Sequence, residues 1–117
     1  MKKIYHLANC NTCQRIIKEL NNGVGFTLQN IKEKNITKKE LADIKSKVGS
    51  YEALFSKRAM KYRSMGLNEM DLSEKDFEKY MLEEYTFLKR PFIIIDEEVF
   101  IGNSKKVVAA AKEKLGI

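Results

Sequence analysis

Cys10 and Cys13 are the only cysteines in the chain, and two residues separate them. Thiols at this spacing can do redox chemistry: one sulfur attacks as a thiolate, and the other closes the product as an intramolecular disulfide. The stretch Asn9-Cys10-Asn11-Thr12-Cys13 follows an apolar run, Ile4-Tyr5-His6-Leu7, and precedes a helical pattern from Gln14 to Leu20. A strand-to-helix turn suits the chemistry. The positive end of the helix dipole and the free N–H groups of the first turn favour a thiolate or a bound anion. Cys10, nearer the loop, is expected to attack, and Cys13, in the first helical turn, to resolve. Without Cys13, glutathione or another thiol would have to do so. Thr12 suits either a helix cap or an anion contact through its hydroxyl or N–H, and Asn11 is the neighbouring loop candidate. Two blander readings stand beside this one. The cysteines could be ordinary buried thiols. A zinc site would need about four ligands, whereas only Cys10, Cys13 and His6 offer soft donors, so no metal is expected. His6 by itself reads more readily as a satisfied strand histidine than as a group acting on the thiol.

The elements that must hold this loop follow from periodicity. Lys2 to Leu7 reads as a strand. Ile16, Ile17 and Leu20 give the following helix an apolar stripe that Asn21-Asn22-Gly23 ends. Phe26 and Leu28 alternate with Thr27 and Gln29, predicting a second strand and hence a parallel βαβ unit. The cysteine loop would then sit at the C-terminal end of the first strand, where ligand sites of parallel sheets lie. Thr37 to Tyr85 has no strand pattern and reads as a helical insertion, about residues 36–86. Thr37 and Glu40 form a capping box, and Leu41, Ile44 and Val48 a buried stripe that stops at Gly49. Leu54 and Phe55 point inward from a short helical piece. A basic stretch runs from Lys57 to Arg63, and Ser73 starts a helix with Phe77, Tyr80 and Met81 inside. The Met and Tyr residues of the insertion are expected in its core. Phe92-Ile93-Ile94-Ile95 is a strand buried on both faces, Asp96-Glu97 a turn, and Glu98 to Ile101 the return strand. Ser104 caps a last helix with Val107, Val108, Ala111 and Leu115 on one side. The order β-α-β, helical insert, β-β-α predicts an α/β chain of thioredoxin-like fold, a mixed four-stranded sheet in one domain over 1–117. Pro91, the only proline, opens the buried strand and is expected to be cis beside the cysteine loop.

Bulk composition limits the rest. The chain has 117 residues, 44% hydrophobic and 32% charged, as expected for one globular domain. No apolar run reaches the ~20 residues of a membrane span, and no signal peptide is readable. A cytoplasmic location is expected, where thiols are kept reduced. Net charge is +6, but 18 of the 22 basic residues are Lys, interleaved with acids. That pattern reads as a solvated surface rather than a nucleic-acid footprint.

Nearly the whole length resembles the arsenate reductase (ArsC) family with its Spx and YffB-like branches. Tyr5-His6-Leu7-Ala8-Asn9-Cys10-Asn11-Thr12 is similar to the family's Tyr-His-x-x-x-Cys-x-Thr opening, and Leu88 to Ile94 to its Arg-Pro strand entry. The helical insertion and Tyr62-x-x-x-Gly66-Leu67 also match. The resemblance implies that Cys10 attacks arsenate or a substrate disulfide, that His6 tunes the thiol, and that Arg90 binds the oxyanion through its two-pronged fork. Two further family arginines correspond here to Ser56 and, approximately, Gly102. Lys57 and Arg58 lie beside the first and are candidates to substitute. Cys13 stands where reductases that depend on an external thiol have Ser, and the Cys-x-x-Cys pair resembles the redox switch of Spx, which has a longer C-terminal tail. Two functions follow. The first is a thiol-dependent oxidoreductase with no bound cofactor, acting as a monomer on a small oxyanion or thiol substrate, with glutathione, glutaredoxin or thioredoxin as reductant. The alternative is an Spx-like regulator that binds RNA polymerase.

Overall fold

The computed structural model describes all 117 residues, Met1–Ile117. Four strands are present: β1 (Lys2–His6), β2 (Thr27–Asn30), β3 (Phe92–Ile95) and β4 (Glu98–Ile101). Five helices accompany them: α1 (Asn11–Glu19), α2 (Lys38–Val48), α3 (Met60–Ser64), α4 (Glu74–Glu83) and α5 (Lys105–Leu115). The chain divides into two compact units, Met1–Lys34 with Arg90–Ile117, and Asn35–Lys89.

The first unit carries the sheet, in the order β2-β1-β3-β4. β1 runs parallel to β2 and antiparallel to β3, and β4 returns antiparallel to β3. This is the mixed four-stranded sheet of a thioredoxin-like fold, as the element order predicts. The central strand β3 is buried along its whole length, which explains its unbroken apolar run. Because strand side chains alternate, Ile93 and Ile95 share one face and join Ile4 of β1. On that face they pack with Ile16 and Leu20 around α1 and with Val108 and Ala111 of α5. Asp96, at φ +56°, turns the chain between β3 and β4.

Two details of this unit differ from expectation. α1 begins at Asn11, three residues before Gln14, where the helical pattern is expected to start, so Cys10 is its N-cap and Cys13 its third residue. β2 shows no clean alternation: it is an edge strand, and Leu28 stays 45% exposed. An edge strand has only one partner, so a strict inward face is not required of it.

The second unit is helical. Thr37–Glu40 and Ser73–Asp76 both form complete capping boxes, and Gly49 ends α2 in the left-handed region at φ +114°. Each box satisfies orphan N–H groups at a helix start and contributes about 0.5–2 kcal/mol. The core of this unit is aromatic. Phe55 stacks on Phe87 at 4.9 Å and meets Phe77 at 5.0 Å and Tyr62 at 5.7 Å. Strand-like pairing does occur within it, since Phe55 and Leu88 form an isolated antiparallel bridge. The expectation that its Met and Tyr residues are core is corrected: Tyr51, Tyr62, Tyr80 and Tyr85 are only partly buried. Met81 is buried, but Met60, Met65 and Met70 are 89%, 49% and 54% exposed. α3, only five residues long, buries none of its side chains.

Candidate active site

The cysteine loop is built by the end of β1 and the start of α1. Ala8 is held on both sides of its peptide. Its N–H donates to Asn30 Oδ1 at 3.2 Å, and its carbonyl accepts a hydrogen bond from Gln14 Nε2. Cys10 N–H closes the turn onto the Leu7 carbonyl at 3.0 Å. Neither Asn30 nor Gln14 stands out in the sequence as a site residue. Asn30 is 22 positions from Ala8, and only the parallel pairing of β1 with β2 brings it there.

α1 starts with no side-chain cap bond and has no acid in its first turn, so its N-terminal end keeps its positive character. The two thiols in this field are unlike. Cys10 is partly exposed, while Cys13 is fully buried at 0% exposure. Partial burial works against the Cys10 thiolate, but the backbone N–H of Cys13, the Cys13 thiol, the Thr12 N–H and the Arg90 charge outweigh it. The Cys10 pKa is lowered. Burial pushes the Cys13 thiol up to about 11. The Leu7 backbone and Arg90 partly offset this, and the Cys10 charge and hydrogen bond add to it. One thiol is thus activated and the other held as the protonated donor beside it.

Arg90 precedes Pro91, and the Arg90–Pro91 peptide is cis, as expected from its place in the topology. His6 ends β1, and its carbonyl accepts from Ile31 N–H at 2.9 Å. Its Nδ1 is buried with no hydrogen-bond partner. Burial lowers its pKa against the Glu33 charge, so the ring is neutral near neutral pH. Asn11 is exposed at the first position of α1, next to Thr12. The structure therefore brings together Cys10, Cys13, Thr12 and Arg90 around one sulfur, with His6 at the end of the adjoining strand. Lys57 and Arg58 belong to the other unit, Asn35–Lys89. There the Lys57 ammonium pairs with Glu52 at 2.6 Å and lies 5.8 Å from the centre of the Phe77 ring. No group of three or more His, Cys, Asp or Glu side chains is placed to hold a metal ion. No helix is long and apolar enough to cross a membrane.

This site can be set beside known proteins. A family model described as the ArsC family matches residues 5–111, from the strand before the cysteines to the last helix. The chain belongs to the ArsC family. Solved structures agree with the family's fold. A YFFB protein superposes with a TM-score of 0.81 at 18% identity, over 95% of this chain and 98% of that one. A Staphylococcus aureus protein solved by NMR gives 0.77 at 26% identity, over 97% of each chain. The arsenate reductase from Vibrio cholerae gives 0.73 at 22% identity, over 99% of this chain and 96% of that one. No curated protein matches the chain. Within the ArsC match lie all of His6, Cys10, Cys13 and Arg90.

Proposed function

We propose that the chain is a thiol-dependent reductase of the arsenate reductase type, acting on an oxyanion or a disulfide through Cys10. The observation that carries this reading is the asymmetry of the thiol pair: an accessible Cys10 with a lowered pKa beside a buried Cys13 raised to about 11. Family membership supports the same class of chemistry.

In this reading Arg90, Thr12 and Asn11 hold the anion at the helix start, where free N–H groups and a guanidinium fork both donate. The Cys10 thiolate displaces an oxygen of arsenate, which leaves as water after protonation, and an S–As bond forms. A second sulfur then attacks the Cys10 sulfur. The S–As bond breaks, its electron pair stays on arsenic, arsenite leaves, and a disulfide remains. In this reading Cys13, which hydrogen-bonds to Cys10, is that second sulfur. Bonding of Cys10 to arsenic or sulfur removes the neighbouring negative charge, one of the causes that raise Cys13, so its deprotonation becomes easier at the moment it must react. With a disulfide substrate, Cys10 attacks one sulfur, the other leaves as thiolate, and Cys13 resolves the mixed disulfide. A small thiol, glutaredoxin or thioredoxin returns both cysteines to the reduced state. His6, neutral and buried at Nδ1, stands as an uncharged neighbour of the site.

The test is arsenite release from arsenate with glutathione, glutaredoxin or thioredoxin, for wild type, Cys10→Ser and Cys13→Ser. Turnover that vanishes in Cys10→Ser and slows in Cys13→Ser is expected. No arsenite with any reductant would remove arsenate as substrate, and unchanged turnover in Cys13→Ser would remove its resolving role.

A further inference from the structure

Ala8 is exposed, yet both of its backbone polar groups are bound to side chains. It stands two residues before the nucleophile, in a β-turn, Leu7-Ala8-Asn9-Cys10, that the Cys10 N–H closes onto the Leu7 carbonyl at 3.0 Å. In such a turn the middle peptide, here Ala8–Asn9, distinguishes type I from type II. Turning it over takes the third residue from negative to positive φ. Asn is one of the few side chains that tolerate positive φ, so Asn9 leaves both turns open to this sequence. The structure adopts one of them: Asn9 is not among the residues with positive φ.

Gln14 grips this turn twice. Its N–H donates to the Cys10 carbonyl at 3.1 Å, and its Nε2 donates to the Ala8 carbonyl. One residue of α1 thus holds the chain on either side of Asn9. Asn30, at the end of β2, fixes the other end of Ala8. Its Oδ1 accepts the Ala8 N–H at 3.2 Å and the Lys32 N–H at 3.3 Å. With Ala8 N–H tied to Asn30 and the turn closed at Cys10, rotation of the Ala8–Asn9 peptide is the freedom that remains. The Gln14 carboxamide removes it.

We infer that Gln14 is a positioning residue of the thiol site, which sets the placement of the Cys10 sulfur by selecting the turn in front of it. The inference rests on the reading of Cys10 as nucleophile and deepens it. The Thr12 and Cys13 N–H groups favour the Cys10 thiolate, and they do so only at hydrogen-bond range. Without the Gln14 bond the turn exchanges between its two forms, and the sulfur spends less time against those donors. The titratable and charged groups that act on Cys10 are Cys13 of α1 and Arg90 before β3, and every variant below keeps both.

The experiment compares the full reduced chain with Gln14→Met, Gln14→Ala and Gln14→Lys. Met keeps the length and the helix preference but has no donor, Ala removes the side chain, and Lys restores a donor of similar reach. Alkylation of Cys10 by iodoacetamide, a neutral probe, is followed against pH by peptide mapping, at a temperature where melting curves show all four proteins folded. Salt at about 1 M confines the added Lys charge to roughly 3 Å. The net worth of one hydrogen bond, about two- to tenfold in an equilibrium constant, sets the expected rise of the Cys10 midpoint in Gln14→Met and Gln14→Ala at about 0.3–1 in pH. Gln14→Lys is expected to restore most of it. A merely structural role would lower the melting temperature and leave the pH profiles superimposed. Superimposed profiles for Met and Ala, or a shift that Lys does not restore, overturn the positioning role. A wild type in which Cys10 is not alkylated ahead of Cys13 overturns the underlying reading of Cys10 instead, so the two failures are distinguishable.

Discussion

Replacing Cys10 with Ser should make Cys13 easier to deprotonate. Burial is the largest cause of its raised pKa, and the charge and hydrogen bond of Cys10 are the two further raising causes. Serine removes the charge, keeps a hydroxyl that can hydrogen-bond, and leaves burial in place. The size of the starting handicap follows from the shift. From an ordinary value of 9.0 to about 11, a thiol loses roughly a hundredfold in thiolate fraction at neutral pH, a factor of ten for each pH unit. A more basic thiolate is a better nucleophile, and with a Brønsted slope of about 0.4–0.5 this returns less than tenfold. Cys13 in the reduced wild type should therefore react at least about tenfold more slowly than an ordinary exposed thiol, before any loss of access through burial. Two assays check this. Ultraviolet thiolate absorbance against pH should show Cys13 of Cys10→Ser titrating below about 11. Iodoacetamide labelling with peptide mapping should show wild-type Cys13 labelled far behind Cys10. Equal labelling of the two cysteines in the wild type, or an unmoved Cys13 titration in the variant, would refute the electrostatic coupling.

Arg90→Gln removes a charge that favours both thiolates, so the Cys10 titration should move to higher pH, and the pH profile of its alkylation with it. The sign is set by the lowered Cys10 pKa: the rate should climb at lower pH in the wild type than in the variant, and superimposable profiles would remove Arg90 from the site. Ile16→Ala empties a fully buried position in the core shared by the sheet, α1 and α5, and should cost about 2–5 kcal/mol in urea unfolding. A loss below about 1 kcal/mol would show that the core collapses around the gap.

Much of the frame was legible because it is set by local rules. The Thr37–Glu40 capping box, the Ser73 helix start, the Gly49 stop, the Asp96 turn and the buried run of β3 are short patterns with one physical cause each. The start of α1 was less legible. Asn11 and Thr12 are weak helix formers, so the periodic signal begins only beyond them, although the helix itself includes both. Met60, Met65 and Met70 misled because hydropathy speaks of preference and not of place: Met60 lies on α3, which is too short to offer a buried face, and Met65 and Met70 lie beyond it at the ends of short turns. In the site, the Cys-x-x-Cys spacing and the Arg-Pro step were visible. The Asn30 and Gln14 bonds to Ala8 were not, because a single side chain reaching a distant backbone group leaves no periodic trace. The division of roles between the two thiols was readable from their order in the loop, but the full burial of Cys13 was hidden, since it depends on how α1 packs on the sheet.

The most direct measurement is the identity of the first sulfur to react. Fully reduced wild-type protein is mixed with a small disulfide, quenched with acid at early times, and mapped by peptide mass. The first adduct should be on Cys10, followed by its loss and the appearance of a Cys10–Cys13 disulfide. A first adduct on Cys13, or adducts on both cysteines at equal rates, would contradict the account.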